Sequence, residues 1–225
     1  IYIMYSSGTT GIPKSIVHGA GGTLLQHLKE LRLHSDISME DNVFYYTTCG
    51  WMMWNWLISS LAIGSTIILF DGSPFYPNND TLWALIDKYK ITHFGISPKY
   101  LDSSKSFKIS PKLSYDLDSL KVIFSTGSPL RGENFDYVYQ EVKDNVRLSS
   151  ISGGTDIISC FVLGNPQLPV YRDEIQSIGL GMDVQSINSE NKSVKNIEGE
   201  LICAKPFPSM PISFWEDKNL SLIHI

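Results

Sequence analysis

Short apolar runs alternate along this chain with stretches of helical spacing, an order that predicts an α/β layered fold. Ile1–Tyr5 and Ser15–His18 read as strands on either side of a loop rich in glycine and threonine. Leu24, Leu25, Leu28 and Leu31 recur at helical spacing, so a helix is predicted from about Ala20 to His34. Val43–Thr47 reads as a strand, and Met52–Ile63 as a largely buried helix ended by Gly64. Thr66–Phe70 reads as a strand closed by the turn Asp71-Gly-Ser-Pro74. A helix over Thr81–Lys90 and strands over Thr92–Ile96 and Lys121–Ser125 follow, then a helix over Glu133–Val142 and a strand over Val146–Ile151. After Gly179 the pattern changes to Val184–Ile187, a turn over Asn188–Lys192 and Glu200–Cys203, which predicts a β-rich subdomain built from hairpins.

Composition changes this picture little. The 225 residues are 43% hydrophobic and 18% charged, as in a globular protein able to bury a core. A net charge of -5 argues against nucleic acid or an anionic membrane as the main partner. The longest apolar candidate, Trp51 to Ile63, is broken by Asn55 and Ser59-Ser60, short of the ~20 residues a spanning helix needs. Cys49, Cys160 and Cys203 lie far apart with no CxxC spacing, so reduced thiols in a cytoplasmic compartment are expected rather than disulfides or zinc. The chain opens on an apolar strand and closes on the apolar run Leu220–Ile225 with no cap, so both ends read as cuts.

The loop between the first two strands carries the chemistry. Ser6, Ser7, Thr9 and Thr10 offer hydroxyls, Gly8 and Gly11 allow close backbone approach, and Lys14 offers a point charge. These groups form a cradle for phosphate oxygens, or equally a flexible hairpin turn with a solvated lysine. The P-loop pattern is excluded, because Pro13 stands where its second glycine belongs and has no N–H to donate.

The full string Tyr5-Ser-Ser-Gly-Thr-Thr-Gly-Ile-Pro-Lys14 resembles the signature of the AMP-forming acyl-CoA synthetase (adenylate-forming) superfamily. Ser125-Thr-Gly-Ser-Pro-Leu130 resembles that family's adenine-binding segment, Ser152-Gly-Gly-Thr-Asp156 its second nucleotide motif, and Gly199-Glu-Leu-Ile202 its Gly-Glu-Leu strand. The order and spacing match as well. The resemblance implies a layered large domain over residues 1–178, the start of its β-rich subdomain over 179–219, and an aberrant or truncated tail over 220–225. The small C-terminal domain and its lysine are expected to be absent, and this polypeptide alone is expected to have negligible activity.

The implied reaction activates a small carboxylic acid with ATP, Mg²⁺ and coenzyme A, through an acyl-adenylate; the alternatives are a related adenylate former for another short acid or a carrier-protein acceptor, and a nucleotide-binding remnant without chemistry. By the resemblance, the Ser6–Lys14 loop holds the β- and γ-phosphates, and Gly127, Ser128 and Pro129 line the adenine. Ser152, Gly153, Gly154 and Thr155 complete the nucleotide site, with Thr155 on the α-phosphate and Asp156 on the metal. The usual residue at Asp156 is Glu, so the shorter stem raises a water-mediated metal contact. A plain capping role for Asp156 stays open.

Trp51, Trp54 and Trp56 read first as core, yet in the family this helix runs beside the acyl site, which makes Trp51 and Trp54 candidate pocket residues. Gly153 stands where the acetate enzymes of the family carry Trp, which implies room for a longer acid, acetoacetate or a butyrate-sized one alike; the preference for acetoacetate rests on the overall resemblance. His18 reads as a binding residue or a satisfied structural histidine. No role is assigned to His27, His34, His93 or His224. Lys105, Lys108 and Lys112 read as a solvated face, with a coenzyme A phosphate contact as the alternative.

Overall fold

A computed structural model describes residues 2–6 and 13–217. Strands β1 (Tyr2–Ser6) and β2 (Lys14–His18) pair antiparallel, from Tyr2 opposite His18 to Ser6 opposite Lys14. Helix α1 (Ala20–Lys29) continues as a π-turn through Glu30–His34, close to the helix predicted from the leucine spacing. After β3 (Asn42–Tyr45), α2 (Met52–Ser59) tightens into a 3₁₀ turn over Ser60–Ile63 and stops at Gly64, whose φ is +89°. Strand β4 (Thr66–Ile68) is shorter than expected, because Leu69 turns out to solvent and Phe70 packs on Tyr46. Then come α3 (Thr81–Tyr89), β5 (His93–Ile96), α4 (Pro98–Ser106), α5 (Pro111–Ser114), β6 (Val122–Ser125) and α6 (Gly132–Tyr137, extended by a π-turn to Val142). Strand β7 (Arg147–Ser150) completes this run.

β3 to β7 form one parallel sheet in the order β4-β3-β5-β6-β7. Both faces are covered, which is why its strands read as unbroken apolar runs: every residue of β5 and β6 is buried. Alternate side chains feed two cores. Phe44, Phe94, Ile123 and Leu148 pack with Trp83 and Leu101 on one face, and Val43, Tyr45, Val122 and Phe124 with Met53 and Trp56 on the other.

The later residues are all strand and turn. β8 (Ser152–Gly154), β9 (Ser159–Leu163) and β10 (Ser177–Ile178) form one antiparallel sheet, and β11 (Val184–Ile187), β12 (Ser193–Val194) and β13 (Glu200–Cys203) another. β14 (Pro211–Phe214) returns to pair with β2, so the C-terminal stretch is tied to the first hairpin. Among the described residues no helix is long and apolar enough to cross a membrane.

At the N-terminal ends of the parallel strands Asp41 and His93 form a buried polar pair. The Asp41 carboxylate accepts from Lys121 Nζ at 2.7 Å and from the Ser38 N–H and hydroxyl at 2.8 Å each. Burial raises its pKa, but these donors outweigh burial and bring it down to about 2. His93 Nε2 donates to the Ser35 carbonyl at 3.1 Å, and burial pushes this imidazole down to about 4 against the pull of Asp41. His27 and His34 are depressed too, again mainly by burial. A folded-state pKa below the unfolded value means that the unfolded chain binds more protons, so stability falls as pH falls through that window. For His93 the window runs from about 6.5 down to about 4 and is worth roughly 3 kcal/mol. Urea midpoints should therefore be level above pH 6.5 and decline steadily from there to pH 4.5, with a shallower decline in His93→Gln. A midpoint unchanged between pH 7.5 and 4.5 would contradict this.

Candidate functional site

Parallel α/β sheets place ligands beyond the carboxyl ends of their strands. Here β6 runs out into Thr126-Gly127-Ser128-Pro129 and β7 into Ile151-Ser152. Gly127 takes φ +103°, a conformation that costs a side-chain-bearing residue dearly, and this turns the chain sharply off the sheet. Thr126 Oγ1 donates to the Ile151 carbonyl at 2.9 Å, and Ile151 N donates to Ser125 O at 2.9 Å, so the two strand exits are locked side by side.

These exits form one wall of a cavity of about 390 Å³. Thr126, Gly127, Ser128, Pro129, Ser150, Ile151 and the run from Ser152 to Thr155 line its polar part. Trp51, Met52 and Met53 from the start of α2, with Ile175, supply an apolar side. Trp51 is the residue before the first helical turn, in extended conformation at φ -105° and ψ 143°, and its ring lies 3.5 Å from where a Cβ on Gly127 would be.

Gly127, Ser128, Pro129, Ser152, Gly153, Gly154, Thr155 and Trp51 are brought together around this one cavity. Trp54 is half-buried and outside the lining; because Trp51 lies before the helix rather than in it, the three-residue spacing does not put both rings on one side. Trp56 is core, stacked edge-on against Phe124 at 5.2 Å. Lys14 opens β2 with Nζ 5.6 Å from the Phe214 ring centroid, and neither it nor Ser6 lines the cavity. Ser7, Gly8, Thr9, Thr10 and Gly11, like the tail Leu220–Ile225 and His224, lie outside the described residues. Lys105 pairs with Asp102 at 3.1 Å and Lys112 Nζ donates to the Gln140 carbonyl.

Gly153 lines the cavity, but not as a shortened side chain pointing into it. A Cβ there would come 2.1 Å from the Ser159 carbonyl oxygen and 2.4 Å from Cys160 Cα. The glycine lets β8 approach β9 at a bulge, where the register shifts between Ser152 and Gly153. The absent side chain therefore makes room for the neighbouring strand.

Beyond β8 the chain turns through Thr155-Asp156-Ile157-Ile158, with Asp156 exposed and Ile158 fully buried. Ile158 has φ +47°, strained for a β-branched residue. His18 Nε2 donates to the Thr155 carbonyl at 3.0 Å. Burial lowers the His18 pKa, against the pull of the backbone carbonyls and the nearby Asp156 charge. Of the two readings of His18, a buried, bonded histidine is what the fold presents. Among the described residues no three His, Cys, Asp or Glu side chains converge on one point, so there is no all-protein metal cage. A single exposed carboxylate such as Asp156 suits magnesium better than a cation that needs a full protein cage, because magnesium keeps several waters.

Sequence reading gave no role to Ser150, Ile151, Ser159 or Ile175, and it named Thr126 only as part of the Ser125–Leu130 segment. The first two lie just at or past the ends of parallel strands, a position that marks them by topology alone. Ser159 and Ile175 enter from the β8–β9 hairpin and the loop before β10, for which the sequence carries no local signal.

Comparison with known proteins agrees with this architecture. The AMP-binding enzyme family matches residues 1–210. The acetoacetyl-coenzyme A synthetase of Rhizobium meliloti (strain 1021) is 54% identical over 219 residues, covering 97% of this chain and 34% of that protein. The acetoacetyl-CoA synthetase of Danio rerio is 53% identical over 224 residues, covering 100% and 33%. The solved structure of acetoacetyl-CoA synthetase from Streptomyces lividans superposes with a TM-score of 0.93 at 42% identity, over 99% of this chain and 35% of that one. The chain thus spans about a third of the length of the curated relatives it matches. The matched span, the shared mixed α/β architecture and the cavity at the strand ends lead to one assignment: this chain belongs to the AMP-binding enzyme family.

Proposed function

We propose that the protein carrying this sequence activates a small carboxylic acid, acetoacetate first, with ATP and passes the acyl group to coenzyme A. The observation that carries this is the two-sided cavity: a glycine- and hydroxyl-rich rim at the ends of β6 and β7 faces an apolar wall of Trp51, Met52 and Met53. A nucleotide and a short acyl chain need such a pair of surfaces next to each other. Identities above 50% to proteins named acetoacetyl-CoA synthetase point to the acid.

In this reading the carboxylate oxygen attacks the α-phosphorus, giving acyl-AMP and pyrophosphate. The thiol of coenzyme A, losing its proton, then attacks the acyl carbon, and AMP leaves with the bonding electrons. Gly127, Ser128 and Pro129 hold the adenine, and Thr155 holds the α-phosphate in line with the acid. Ser6, Lys14 and the residues between them hold the β- and γ-phosphates, and Asp156 anchors the metal. Magnesium, when bound, supplies neutralising charge on the phosphates. What the chain contributes is positioning and fixed dipoles rather than a covalent step.

Exchange of labelled pyrophosphate into ATP, measured on the full-length protein that carries this sequence across acetate, acetoacetate, butyrate and amino acids, should run fastest with acetoacetate. No exchange with any acid, or fastest exchange with an amino acid, would overturn the reading. Asp156→Asn should lower kcat/KM for MgATP by about tenfold or more, ~1.4 kcal/mol. Gly153→Ala should lower folding stability by about 1–3 kcal/mol, because its methyl meets β9 backbone rather than open cavity; an unchanged melting temperature would show that the hairpin yields freely.

A further inference from the structure

The turn that follows β8 is held in an unusual way. Its backbone makes two weak hydrogen bonds of its own, Ile157 N to Gly154 O at 3.3 Å and Ile158 N to Thr155 O at 3.2 Å. The carbonyls of three of its four residues are then taken by side chains from distant parts of the chain. His18 Nε2 donates to Thr155 O at 3.0 Å, Ser209 Oγ to Ile157 O at 2.7 Å, and His27 Nε2 to Ile158 O at 2.6 Å. All three donors are buried. The turn also contains Ile158 at φ +47°, a conformation that persists only where its surroundings over-determine it.

We propose that His18, assisted by His27 and Ser209, is a positioning residue that fixes the Thr155–Asp156 peptide so that the hydroxyl and the carboxylate engage one metal–nucleotide complex together. This rests on the functional reading above. The peptide plane whose oxygen His18 holds is the one joining Thr155 to Asp156, so fixing it sets ψ of the first residue and φ of the second. Thr155 lines the cavity while Asp156 is exposed at its margin, and their relative direction depends on that one plane. Without the imidazole the Thr155 oxygen would keep only the 3.2 Å bond from Ile158 N, and the strained turn would be free to relax. His18 itself is not among the residues that line the cavity; it acts through the turn.

The test is calorimetric titration of the native polypeptide with ATP, with and without Mg²⁺, in wild type, His18→Leu, His18→Gln and Ser209→Ala. A glutamine amide can present an N–H near the place of Nε2, whereas leucine keeps volume and loses the donor. His18→Leu should weaken MgATP binding by about tenfold and metal-free ATP by less than about threefold, and His18→Gln should stay within about threefold of wild type for both. Equal losses in the two His18 variants, or His18→Leu binding MgATP as wild type does, would overturn the proposal by reducing His18 to packing. Should His18→Leu not fold, Ser209→Ala decides: about threefold or greater selective loss of MgATP affinity supports the proposal, and none overturns it. Wild type that binds no MgATP would instead remove the functional reading, and this inference with it.

Discussion

The fold of the site depends on a buried carboxylate. Glu30 is fully excluded from solvent, and its oxygens are taken by Trp56 Nε1 at 3.1 Å, Gln26 Nε2 at 3.2 Å and the Ser159 hydroxyl, with Lys29 Nζ 3.6 Å away. A buried charge is tolerated only when paired and hydrogen-bonded, and removing one partner of such a group costs about 3–5 kcal/mol. Trp56 belongs to α2, whose start supplies Trp51, Met52 and Met53 to the cavity, and Ser159 begins β9 and lines the same cavity. Satisfying Glu30 therefore fixes two cavity walls relative to α1. The same stretch of chain fastens the hairpin at three further points, with His18 on Thr155, His27 on Ile158 and His34 Nδ1 on Gly164 O at 2.9 Å.

The polar cluster and the cavity occupy opposite ends of the parallel sheet. At the N-terminal ends Asp41, His93 and Ser35 form a buried polar cluster reached by Lys121 and Arg147, in which Arg147 Nη2 donates to Ser35 O at 2.6 Å. Beyond the C-terminal ends the chain turns through Gly127 at φ +103°, which glycine adopts freely, and after β8 it stores strain in Ile158 at φ +47°. Such strain is held in place by packing, and it presents polar groups to a ligand in a preset arrangement. For phosphoryl chemistry that arrangement is most of what a protein can contribute.

Much of this was legible in the residues. The parallel strands announced themselves as apolar runs because both faces of the sheet are buried, and Gly64 ended its helix as its left-handed geometry requires. Gly127–Pro129 and Ser152–Thr155 were read as one nucleotide site and lie on one cavity. The illegible parts share a cause. β8 is Ser-Gly-Gly, with no alternation to read, β10 is only two residues long, and the partner of β14 lies far along the chain. Helix α4 was missed because only Tyr100, Leu101 and Ser104 follow Pro98 into the core, amid the polar run Asp102-Ser-Ser-Lys-Ser106. The role of the histidines was invisible for a different reason: each answers a backbone carbonyl more than 125 positions away, and no local pattern encodes that.

The central claim is that the cavity at the ends of β6 and β7 is where nucleotide and acid meet. A crystal structure of the native polypeptide with a non-hydrolysable acyl-adenylate analogue tests it most directly. The account predicts adenine against Gly127–Pro129, the phosphate at Thr155 and the acyl chain against Trp51 and Met53. Density for the analogue anywhere else, or an acyl chain turned away from the α2 wall, would contradict it.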